Sequence, residues 1–66
     1  MSPMSRRALQ YVANAQVATE AMFDEDHEPV GPTLRAELMP RYMVTGANGI
    51  LTLTAEGERK SKGEDS

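Results

Sequence analysis

The chain reads as an α+β domain in which two or three short helices pack on a C-terminal antiparallel β-hairpin. Three features predict this. Apolar residues recur at helical spacing over residues 4–22, a shorter apolar run lies between Pro32 and Pro40, and two β-prone segments flank Asn48-Gly49.

In the first segment Met4, Ala8, Tyr11, Val12, Ala15, Ala18 and Met22 fall on one side of a helix, with Thr19 as the polar member of the stripe. Ser2 with Pro3, or Ser5, supplies an N-cap, and the frequent Ala residues favour helix by propensity. Asn14 and Gln16 leave two readings open: one long helix, or two short ones near residues 3–13 and 16–24. Pro29 follows the acidic run DEDHE (Asp24–Glu28). A residue before proline is pushed out of the helical region, so the helix is over by then.

Gly31 as N-cap and Pro32 at the first helical position start a short helix, TLRAELM, which Pro40 limits; Leu34 and Leu38, four apart, are its expected buried contacts. The stretch RYMVTGANGILTLT then carries the hairpin signal, because Asn-Gly readily takes the positive φ angles of a type I′ turn. A two-residue turn places Val44 opposite Leu53, Tyr42 opposite Ala55 and Gly46 opposite Leu51. One face then carries Tyr42, Val44, Leu51 and Leu53 toward the helices. The other presents Met43, Thr45, Ile50, Thr52 and Thr54 to solvent or a partner.

Beyond Thr54 the segment AEGERKSKGEDS has no large apolar residue with which to offset its ordering entropy. Residues 59–66 are therefore expected as a flexible polar tail, and residues 1–58 as a single domain.

Length and composition bound the function. Sixty-six residues with a formal charge of −3 and 39% hydrophobic content suffice for one small globular core. There is no Cys, which removes disulfides, thiolate metal sites and thiol catalysis. No apolar run reaches the roughly 20 residues of a bilayer span, and the polar interruptions after Arg6 and Arg7 do not suit a signal peptide, so a cytoplasmic protein is expected.

No catalytic set emerges. His27 is the one histidine, and the acidic run around it lacks the spaced ligands and central Gly of a calcium loop; it reads as a solvated loop. Gly46, Asn48 and Gly49 lie between strands, where turn geometry accounts for them better than phosphate binding does. Glu56 and Glu58 sit in a polar stretch where nothing would raise a pKa for acid catalysis. A non-enzymatic protein without metal or cofactor is the expectation.

Basic residues fall in three places: Arg6 and Arg7, then Arg35 and Arg41, then Arg59, Lys60 and Lys62. Convergence on one face would make a cationic surface for phosphates, whereas separate solvation of each helix is the plainer reading. With only Tyr11, Phe23 and Tyr42 as aromatics, single-strand stacking is disfavoured.

The segment LRAELMPRYMVTGANGILTLTAEGER resembles the last helix and wing of the winged helix-turn-helix family, and Leu53, Thr54, Ala55, Glu56 and Gly57 match the Leu-Thr-x-x-Gly that closes the wing in many of its transcription regulators. The size and layout are similar to small phage transcription inhibitors of that type. The resemblance implies a winged-helix-like domain that docks on a protein of the transcription machinery, RNA polymerase or a sigma factor, or on duplex DNA.

For protein binding, the contact residues are Asp24, Glu25, Asp26 and Glu28 for charge, with Arg35, Arg41, Met43 and Ile50 on the helix and outer wing face. An acidic surface suits a basic channel on such a partner. For sequence-specific duplex binding they are Thr33, Arg35, Arg41, Asn48, Arg59 and Lys60. A third reading buries Met4, Met22, Met39 and Met43 against another chain, as in a structural subunit or an antidote partner.

Overall fold

The computed structural model describes residues 1–63. Its elements are α1 (Pro3–Asn14), α2 (Glu20–Asp26), α3 (Gly31–Leu38), β1 (Met43–Thr45), β2 (Leu51–Leu53) and α4 (Ala55–Ser61), with β1 and β2 antiparallel. The architecture is the expected α+β arrangement of helices with a hairpin near the C-terminus, extended by a fourth helix.

Ser2 caps α1, accepting the Ser5 backbone N–H at 3.1 Å, and Pro3 takes a first-turn position where no donor is missed. Of the two open readings, two helices form. The chain leaves α1 at Asn14, and Ala15 is extended. Thr19, expected inside a helix, instead caps α2 by accepting the Met22 N–H at 3.2 Å. The linker between the helices lies along β2: Ala18 accepts the Leu51 N–H at 2.7 Å, and Thr19 bridges Ile50.

Helix α3 begins with Gly31 inside its first turn and Val30 as the cap, one residue earlier than expected. A Cβ on Gly31 would stand 2.5 Å from the Asp24 Cα, so glycine is what lets α3 cross α2 this closely. Leu34 and Leu38 are buried as expected.

The hairpin corrects the expected register. Asn48 and Gly49 do take positive φ, 61° and 72°, as Asn-Gly favours. Ala47, however, joins them in a three-residue loop, closed by Gly46 N–H donating to the Ile50 carbonyl at 2.7 Å. The ladder is shifted by one residue to Met43↔Leu53, Val44↔Thr52 and Thr45↔Leu51. Leu51 and Leu53 still face inward, but Met43 replaces Val44 in the core: Met43 is 0% exposed and Val44 40%. The extra loop residue thus allows the larger side chain to be buried without turning β2 over.

The core comprises Ala8, Leu9, Val12, Ala18, Phe23, Leu34, Leu38, Met43 and Leu51. Met4 and Met22, at the two ends of the apolar stripe, are exposed. Helix α1 packs against α2, α3, α4 and β2, and its buried residues include Leu9, which lies off the expected stripe.

The expected tail is the second correction. Residues 59–61 belong to α4, and residues 64–66 lie outside the described residues. Thr54 caps the helix, accepting the Gly57 N–H at 3.1 Å, with Glu56 and Glu58 in the first turn and Arg59 and Lys60 in the last, each suited to the helix dipole. Gly57 and Ser61, four apart, are buried, and Gln10 of α1 donates to the Ser61 carbonyl at 3.1 Å. Close backbone approach through small residues holds this helix, so the lack of large apolar side chains does not leave it loose.

Candidate interaction surface

Helices α2 and α3 are tied by one bidentate ion pair. Arg35 donates from Nε to Asp24 Oδ1 at 2.6 Å and from an Nη to Oδ2 at 2.8 Å, and its other Nη lies 3.3 Å from Glu20 Oε2. The paired Asp24 carboxylate raises the guanidinium pKa above its ordinary value, outweighing the opposite effect of burial. Glu20 also accepts the Thr45 hydroxyl at 2.9 Å, so the network reaches the hairpin. Asp24 and Arg35, both expected as contacts for a partner, are therefore half-buried structural groups.

Arg41 also makes an ion pair, but at the surface, where its side chain stays 69% exposed. Its Nε donates to Glu56 at 2.6 Å, which raises its pKa, and its guanidinium carbon lies 5.3 Å from the Tyr42 ring centroid. Met43, expected on the outer face, is inaccessible because of the register shift. Ile50 is half-buried in its bridge with Thr19.

The charged residues that remain outward on α2 and the following turn are acidic. Glu25, Asp26 and Glu28 are exposed, as is Glu37 of α3. The Asp26 carboxylate pushes the Tyr11 phenol pKa up, chiefly as a hydrogen-bond acceptor for the protonated phenol, with burial and the charge of Glu25 adding to it. Met22 and Val30 add exposed apolar surface on the same two helical segments. Glu20, Glu37 and Val30 were missed by sequence reasoning, whereas Met22 belongs to the methionine set expected to meet another chain. Glu37 is three residues past Leu34 but off the apolar stripe, which is the one signal that marks it as outward.

His27 follows α2 with its ring stacked on Phe23, centroids 4.2 Å apart, and edge-on to Tyr11; its Nδ1 lies 2.7 Å from the Phe23 carbonyl. This packing fixes where the acidic turn leaves the helix.

Of the residues expected to meet DNA, Thr33 is exposed on α3 and Asn48 at the hairpin tip, Arg35 and Arg41 hold the ion pairs above, and Arg59 and Lys60 lie on α4, which packs on α1 and β2 and receives Arg41 at Glu56. Two open depressions, of about 460 and 330 Å³, flank α4: one is lined by Gln10, Asn14, Glu58 and Lys62, the other by Val12, Gln16 and residues 50–53. Among the described residues no group of three His, Cys, Asp or Glu is disposed to hold a metal ion, and no helix is long and apolar enough to cross a membrane. Comparison with family models, with curated proteins and with solved structures finds no match for this chain.

Proposed function

We propose that this chain is a small non-catalytic regulator of the phage type that binds a protein of the transcription machinery, RNA polymerase or a sigma factor. One observation carries the reading. Arg35 and Arg41 are paired with Asp24, Glu20 and Glu56, while Glu25, Asp26, Glu28 and Glu37 are exposed and together present a run of negative charge. Such a surface repels a duplex and is attracted to a basic protein channel. The winged-helix resemblance of residues 34–59 implies such a partner, and Met22 and Val30 offer apolar contact beside the charges.

The test immobilises the chain and applies purified RNA polymerase core and individual sigma factors. The reading expects capture that weakens with salt and is lost in the double variant Glu25→Lys, Asp26→Lys. Absence of capture of every component at micromolar concentration overturns it. Duplex DNA is applied in parallel; binding that falls steeply with salt would favour the DNA-binding alternative instead.

A further inference from the structure

We propose that Asn48 is a self-modification site, whose side-chain amide is lost by attack of the Gly49 backbone nitrogen to leave a carboxylate at the hairpin tip. Asn48 is exposed, and its amide has no hydrogen-bond partner among the described residues. Gly49 has no Cβ to obstruct its nitrogen, and nothing lies within 4 Å of where a Cβ would stand. The loop is closed by the short Gly46–Ile50 bond, but the bonds inside it are long. Gly49 N–H to the Gly46 carbonyl and Ile50 N–H to the Ala47 carbonyl are both 3.3 Å, beyond the usual range. Turning the Gly49 peptide plane toward the Asn48 side chain breaks only the first of these.

In the reaction the Gly49 amide gives up its proton and its nitrogen bonds to Asn48 Cγ. The Cγ–Nδ2 bond breaks, and the amide leaves as ammonia with a proton from solvent. Water then opens the five-membered imide at either carbonyl, producing Asp or an isoaspartyl linkage. The net change is hydrolysis of an amide, with water as the only co-reactant.

Asn14 provides the internal comparison. It ends α1, the next residue is Ala, and the Ala15 N–H is held by the Tyr11 carbonyl at 3.2 Å. The modification adds one negative charge to a chain already at −3. The isoaspartyl product also lengthens the backbone within a tight turn.

The experiment incubates the full folded chain at neutral and mildly alkaline pH and follows both asparagines by peptide mapping and mass spectrometry, with Asn48→Asp as the product standard. The expected result is conversion at Asn48, with some isoaspartyl product, that exceeds Asn14 at every time point and accelerates with pH. Conversion at Asn48 only in denaturant, equal conversion at Asn14, or an unchanged Asn48 would each overturn the proposal. Gly49→Ala should slow the reaction, and circular dichroism of that variant separates hindrance at the nitrogen from loss of the turn.

Discussion

Gly57 lies so close to the carbonyl group of Tyr42 that a Cβ on the glycine would overlap the Tyr42 oxygen. The contact joins α4 to the residue preceding β1. It is reinforced by Thr54, whose N–H donates to the Tyr42 carbonyl at 3.0 Å and whose hydroxyl donates to the Arg41 carbonyl at 2.7 Å. Gly57→Ala should therefore push α4 off the hairpin and destabilise the fold by about 2–3 kcal/mol, as overpacking does. That is a large part of the stability of so small a domain. Gly46→Ala is the control: its nearest neighbour, the Ile50 carbonyl oxygen, is at an ordinary 3.7 Å and its φ is −96°, so stability should hold or rise by about 0.5 kcal/mol. Urea denaturation of both variants checks the pair.

The Arg35–Asp24 pair gives a second prediction. Their side chains are 19% and 28% exposed, which leaves less solvent to replace a lost partner than at an open surface. Asp24→Ala should lower stability by about 1–2 kcal/mol, and Glu20→Gln, whose side chain is 41% exposed, by less than about 0.5 kcal/mol. Chemical denaturation measures both. Equal effects would mean that the bidentate geometry contributes nothing.

The hairpin register is testable by two substitutions at adjacent positions. Met43→Ala removes a fully buried side chain and should cost about 2–4 kcal/mol. Val44→Thr changes a residue 40% exposed and should fall within about 0.5 kcal/mol of the parent. A two-residue turn with Val44 inward predicts the reverse order, so thermal melts of the two variants distinguish the registers.

These sites show how far local signals reach. The positive φ angles at Asn48 and Gly49, the cap at Ser2 and the buried pair Leu34 and Leu38 are properties of a few neighbouring residues and were legible. The register was not, because it depends on whether Ala47 joins the turn, and that is settled by which of Met43 and Val44 the core accommodates. Helix α4 was missed because it docks through Gly57 and Ser61 rather than large apolar side chains. At the candidate site, composition revealed the acidic segment. It could not reveal that Asp24 turns inward to Arg35 while Glu25 and Asp26 stay out, since that depends on how α2 crosses α3.

Tyr11 provides a pH-dependent prediction. Hydrogen bonding toward Asp26, then burial and the negative charges of Asp26 and Glu25, raise the phenol pKa. Above about pH 10 the unfolded chain releases this proton while the folded chain retains it. The folded state then binds more protons, so the stabilisation is complete below the unfolded pKa and is lost as pH rises through the folded value. Asp26→Asn removes the leading cause and should bring the phenol back toward its ordinary value, with a smaller loss of stability on the alkaline side. Phenolate absorbance across an alkaline titration reads the shift, and Tyr11→Phe identifies which of the two tyrosines produces it. If Asp26→Asn leaves the Tyr11 titration in place, the contact does not hold α1 to the acidic surface of α2.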